Sequence, residues 1–181
     1  MTNRNKIILF FVTACLGVGL DQFTKELAKK YLMSLPPESY KSYLWDTIRL
    51  QYVENIGAFL SLGSDLPPSV SFWVFTVIPI IFLGILVYFA IKQINELPLW
   101  AFLAFSLIFA GGVGNIIDRI LYDRHVTDFL NFGIGNLRTG ILNVADMYVT
   151  FGVFAIFFLY WQQRKSENGK TFLDDNAPKS E

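Results

Sequence analysis

Asp128, in Val126-Thr127-Asp128-Phe129-Leu130, and Asp146, in Asn143-Val144-Ala145-Asp146, are two carboxylates set among apolar neighbours. Two such groups in a partly desolvated site cannot both ionise easily, so one keeps a proton and an acid stands beside a base. That pair can activate a water while protonating a peptide carbonyl or leaving amine, the chemistry of an aspartic endopeptidase. The titration belongs to the pair, and the sequence assigns neither member a fixed role. Taken singly, Asp128 reads as a solvated loop acid and Asp146 as a buried partner of Asn143 or an arginine. Their expected convergence at one leaflet is what points to catalysis.

Other polar residues gather around them. In Gly111-Gly112-Val113-Gly114-Asn115-Ile116-Ile117-Asp118-Arg119, helical spacing puts Asn115, Asp118 and Arg119 on one face, where the glycines let another backbone approach. Read structurally, this is a helix-packing glycine motif ending in an interfacial Asp118–Arg119 pair. Asn143 and Asp146 share a face at i, i+3, and Asp21 and Lys25 at i, i+4 form a helix-end pair. In Tyr52-Val53-Glu54-Asn55-Ile56-Gly57, Asn55 can donate and accept hydrogen bonds while Gly57 permits a turn.

These residues must be positioned by a chain suited to lipid. Of 181 residues 53% are hydrophobic and only 17% charged, against about 25% charged in soluble domains. Fifteen basic and fifteen acidic side chains give no net charge, which removes the footprint of a nucleic-acid binder. One cysteine and one histidine supply neither a disulfide framework nor a zinc site. Apolar runs of the roughly 20 residues that cross a bilayer predict four transmembrane helices at about 7–28, 69–91, 97–118 and 140–162. The extracytoplasmic segments are then 29–68 and 119–139, and 163–181 is a polar cytoplasmic tail. An alternating stretch at 47–53 reads as a strand. The segment 118–140 reads as a short excursion lying at the membrane surface.

Four crossings place both termini on one side. Basic residues divide almost evenly between the sides, but Arg4 and Lys6 precede the first span and Arg164-Lys165 abut the last, so the termini are expected in the cytoplasm. Val12-Thr13-Ala14-Cys15 looks like a lipoprotein processing site. Only 7–11 precede it as an apolar stretch, too short for a cleavable signal of about 7 to 15 residues, so the first span is expected to be retained.

Five ordered blocks carry a family resemblance: Asp21-Gln22-x-x-Lys25, Asn55-x-Gly57-Ala58-Phe59, Gly111-Gly112-x-Gly114-Asn115-x-x-Asp118-Arg119, Val126-x-Asp128-Phe129 and Asn143-x-Ala145-Asp146. Over roughly 7–161 the chain resembles lipoprotein signal peptidase, or signal peptidase II, of bacterial inner membranes. The resemblance implies a mainly α fold: a four-transmembrane-helix bundle with a small extracytoplasmic β-rich cradle and a short, mobile, helix-bearing surface loop. It implies an aspartyl endopeptidase that removes signal peptides from diacylglyceryl-modified prolipoproteins just before the modified cysteine, without cofactor or metal, and that globomycin-like cyclic peptides inhibit. The dyad falls on Asp128 and Asp146, with Asn55, Gly57, Asn115, Arg119 and Asn143 lining or orienting the site and Asp21 and Lys25 holding the architecture. Asp118 is the ambiguous acid, conceivable in a dyad with Asp146 and preferred as the partner that orients Arg119.

Two rivals share these residues. Membrane carboxylates also serve proton-coupled transporters, although here the acids cluster at one leaflet instead of tracing a path. Asp118, Asp128 and Asp146 could hold magnesium in a lipid phosphotransferase, but no phosphate-binding set accompanies them.

Overall fold

The computed structural model describes residues 1–36, 38–57, 63 and 65–175, those beyond 165 as backbone only. Helix α1, Asn3–Leu32, starts where the Thr2 hydroxyl caps the Asn5 amide and runs through the polar 21–32 stretch without a breaker. The second span, Pro68–Lys92, is composite: α2 (Pro68–Phe72), a π-helical turn (Trp73–Val77) and α3 (Ile78–Lys92). Pro79 has no amide for the Phe75 carbonyl, and the wider turn, with the Ile78 amide bonded to the Trp73 carbonyl, absorbs that defect. Helix α4, Leu99–Leu121, follows Pro98, and α5 spans Val144–Asp175. The helix thus continues past the expected limit at 162, since 162–168 holds neither proline nor glycine to stop it.

Four of these stretches are long and apolar enough to cross a membrane: Asn3–Leu32, Pro68–Lys92, Leu99–Leu121 and Val144–Lys165. Their outward faces expose Ile81, Ile85, Phe154 and Phe157, side chains at home against acyl chains. Helix α4 packs against α1, α3 and α5. Close approach depends on its glycines: a Cβ on Gly111 would meet the Ala145 carbonyl, and one on Gly114 the Asp21 carboxylate. Phe10, Leu86, Ala90, Phe102 and Ile108 fill the half of the bundle nearer the N-terminus.

The extramembrane segments meet in one antiparallel sheet, ordered β1 (Lys41–Tyr43), β2 (Ile48–Asn55), β3 (Val126–Ile134) and β4 (Leu137–Arg138). The strand expected at 47–53 is β2. The excursion expected at the membrane surface instead supplies half of this sheet. Pairing slips between Leu50 and Val53, and the Leu142 carbonyl accepts both the Phe129 and Leu130 amides. Through this irregularity Phe129 and Leu130 both join the apolar cluster with Ala28 and Leu32 of α1, while Asp128 and Asn131 both face the other way. Among the described residues the extramembrane segments carry no helix. The surface helix implied by resemblance has no described counterpart, and Pro37, Ala58 and Phe59 lie outside those residues.

Candidate active site

Helix α5 begins with a reciprocal cap. The Asp146 amide donates to Asn143 Oδ1 at 2.9 Å, and the Asn143 amide donates to Asp146 Oδ2 at 3.1 Å. The cap fixes the Asp146 carboxylate, whose Oδ1 also accepts from Asn115 Nδ2 at 2.9 Å. The Asn143 side chain is fully buried and donates twice from Nδ2, to Asn115 Oδ1 at 3.0 Å and to Asp128 Oδ1 at 2.7 Å. Asn55, at the end of β2, donates to Asp128 Oδ2 at 2.9 Å and accepts the Gly57 amide in a tight turn. Both carboxylates thus sit in one network, each with two amide donors.

Asp128 and Asp146 line the same cavity of about 220 Å³, together with Asn55, Gly57, Asn115 and Arg119. Phe75, Pro79, Ile116, Ile141 and Val149 supply its apolar walls. Asp128 is only 2% exposed. Burial pushes its carboxyl up from the usual 3.8 to about 7; the neighbouring Asp146 charge adds to this, and the Asn55 and Asn143 hydrogen bonds oppose it.

Behind the cavity lies a buried ionic cluster. The Lys25 ammonium, 1% exposed, donates to Asp21 Oδ2 at 2.8 Å, Asp118 Oδ2 at 3.0 Å and Asn115 Oδ1 at 3.0 Å. Asp21 Oδ1 accepts the Ala145 amide at 2.9 Å, pinning the start of α5 to α1. Asp118 accepts from Gln22 and from the Thr127 amide, one residue before Asp128. Asp21 and Lys25 thus link α1 to α4 and to the start of α5.

Asp118 requires a correction: it does not pair with Arg119. Adjacent residues on a helix point about 100° apart, so Asp118 faces α1 and the Lys25 cluster while Arg119 faces the cavity. Arg119 Nη2 donates to the Gly57 carbonyl at 2.9 Å, and its guanidinium lies 5.8 Å from the Phe75 ring centre. Its buried Nε has no hydrogen-bond partner among the described residues. With its oxygens committed to protein donors, Asp118 also does not join Asp128 and Asp146 in a three-carboxylate magnesium site. No trio of His, Cys, Asp and Glu suited to a metal gathers among the described residues.

Gln22 belongs to the first sequence block but was given no role there; its side-chain amide donates to Asp118, Asp21 and the Gly114 carbonyl. A polar amide at membrane depth was the available signal. Sequence reasoning missed the Ala145 and Thr127 amides, which no residue type advertises. Of the walls, only Pro79 stood out by type.

Residues 13–162 match the family described as signal peptidase (SPase) II. The chain belongs to the signal peptidase II family. Named relatives agree: the lipoprotein signal peptidase of Borrelia turicatae (strain 91E135) is 38% identical over 162 residues, covering 87% of this chain and 92% of the relative. That of Streptococcus agalactiae serotype V (strain ATCC BAA-611 / 2603 V/R) is 30% identical over 167 residues, covering 90% and 97%. A solved structure described as a bacterial membrane enzyme determined by the in meso method at 2.3 Å superposes with a TM-score of 0.72 at 28% identity, covering 97% of this chain and 94% of that one. This signal peptidase II is a multi-pass membrane protease with the fold of those enzymes. Its glycine block carries Asn115 and Arg119 into the cavity, and its Asn143 block delivers Asp146.

Proposed function

We propose that this chain removes the signal peptide from diacylglyceryl-modified prolipoproteins by cutting just before the modified cysteine, with Asp128 and Asp146 as the catalytic pair. The observation that carries the reading is the shared cavity: a buried carboxylate, Asp128, and a half-buried one, Asp146, each held by two amide donors, open onto one apolar-walled space. One proton is shared between them, with Asp128 taken as the acid, since its burial favours the protonated form, and Asp146 as the base. Asp146 accepts a proton from water, whose oxygen attacks the carbonyl of the residue before the cysteine. Asp128 donates its hydrogen bond to that carbonyl oxygen. As the C–N bond breaks, the proton taken up by Asp146 passes to the cysteine nitrogen, leaving a carboxylic acid on the signal peptide, which ionises in water, and a free amine on the lipoprotein. Arg119 Nε and the Asn55 turn are placed to bind peptide carbonyls and orient the chain.

The site belongs at the outer leaflet of the bacterial inner membrane, with both termini in the cytoplasm, an orientation supported by Arg4, Lys6, Arg164 and Lys165. Two acyl chains, at about 0.8 kcal/mol per buried methylene, confine the substrate to the bilayer where the cavity lies. A globomycin-like cyclic peptide is the inhibitor that the family resemblance implies, acting by occupation of the site. The deciding experiment incubates purified protein with a diacylglyceryl precursor, with and without globomycin. The expected result is a mass loss equal to the signal peptide, abolished by the inhibitor and unaffected by excess chelator. An unchanged precursor mass overturns the reading.

A further inference from the structure

Asp128 stands between two spaces of different chemistry, and lines both. The first, between the spans, has the apolar walls described above. The second, of about 400 Å³, lies on the sheet face turned away from α1 and is lined by Arg49 and Gln51 of β2, Asn131 of β3 and Arg138 of β4. The two adjoin, since Asn55, Asp128 and Ile141 line both. Side chains on one face of a strand recur every second residue at about 3.3 Å per residue. From Asn55 to Arg49 the groove therefore extends about 20 Å, the length of about six residues of extended peptide.

The groove's outer end carries excess positive charge. Arg49 and Arg138 share a single carboxylate, Asp46, in the turn between β1 and β2. Hydrogen bonds from Arg49 and Ser42 hold that carboxyl well below the usual range, so it stays ionised and neutralises only one of the two cations. Gln51, midway along, has a side-chain amide with no hydrogen-bond partner among the described residues. β1 covers only Ile48–Leu50, and beyond Leu50 the edge of β2 opposite β3 has no strand partner among the described residues; the groove itself is lined by side chains on the sheet face, and these read an incoming chain.

We propose that this groove binds the segment of the lipoprotein that follows the scissile bond, as about six extended residues, and favours an acidic side chain at its outer end beside Arg49 and Arg138. The inference rests on the peptidase reading above. A substrate whose signal helix and acyl chains sit in lipid has one part that must leave for water, the chain beyond the modified cysteine. The polar groove adjoins the first space at Asp128 and leads in that direction.

The test uses full-length protein in lipid vesicles and diacylglyceryl precursors that share one signal peptide and one modified cysteine. They carry Asp, Ala or Lys at the sixth residue after the cleaved bond, and a further precursor ends two residues after it. The kcat/KM is expected to fall in the order Asp, Ala, Lys, with about a five-fold span, as for a partly exposed charge contact, and to fall for the short precursor. Arg49→Gln is expected to flatten the Asp-to-Lys ratio. Gln51→Lys, at a side chain without a partner, is expected to create a similar preference near the fourth residue, and it carries the test should Arg49→Gln not fold. Equal kcat/KM for all precursors, or ratios unmoved by both variants, overturns the groove and leaves the peptidase reading standing. Failure to cleave any precursor overturns both.

Discussion

Asn143 and Asp128 are joined by an Nδ2-to-Oδ1 hydrogen bond of 2.7 Å inside the protein, and the same asparagine caps the helix that presents Asp146. Helix initiation and carboxylate placement are thus one interaction. Asn143→Ala is expected to cost about 1 kcal/mol or more from the lost cap. Misplacement of both acids should lower kcat about 10²-fold. Thermal unfolding in detergent and turnover of a lipidated precursor measure the two effects separately.

The carboxylates themselves should be far less tolerant. Asp128→Asn and Asp146→Asn each keep the shape but remove the acid or the base, a loss of about 10²- to 10⁴-fold. Either variant cleaving a purified lipidated precursor near the wild-type rate would remove that residue from the chemistry.

The proton on Asp128 sets a pH limit. With its carboxyl pushed up to about 7, chiefly by burial, the singly protonated pair is lost as pH rises through that value, and kcat/KM should fall on that limb. Asn55 donates to the ionised form and so lowers the value. Asn55→Ala, though less active, should move the alkaline limb to higher pH. A limb that moves down, or stays, contradicts the assignment.

Lys25 is the cation for two buried carboxylates. Lys25→Met leaves both uncompensated, a loss of about 3–5 kcal/mol. Lys29→Met, four residues on, breaks a pair with the exposed Glu26 and a surface contact with the Tyr122 ring, and should change stability by only about 1 kcal/mol. Unfolding midpoints of the two variants in one detergent make the comparison.

Gly111→Ala would press a Cβ against the Ala145 carbonyl and force α4 from α5, a loss of about 1–3 kcal/mol together with displacement of Asp146. Gly19→Ala, with nothing within 4 Å of the new atom, should be neutral or stabilising. The same unfolding assay, with turnover, separates them.

What could be read from sequence follows physical rules. Charged and amide side chains are rare at membrane depth, so Asp21, Lys25, Asn115, Asn143 and Asp146 stood out in or beside the apolar runs, and Asp128 as an acid between apolar residues just outside one. β2 kept a period of two and was legible, whereas the irregularity at Phe129 and Leu130 puts consecutive side chains on one face and erases that period from β3. Asp118 was misjudged because adjacency along the chain suggested Arg119, while its true cation comes from another helix. The π-helical turn left only Pro79 as a trace, and nothing in residue type announced that Phe75 would form a cavity wall.

Lys25 spends all three of its hydrogens, on Asp21 of its own helix and on Asn115 and Asp118 of α4. Oil offers two greasy rods no preferred alignment, since acyl tails solvate either surface equally well. This ammonium supplies one: sliding α1 past α4 by a single turn would carry the Lys25–Asp21 pair along but strand Asp118 of α4 without its cation. It acts as a registration pin, selecting one mating of the rods from many.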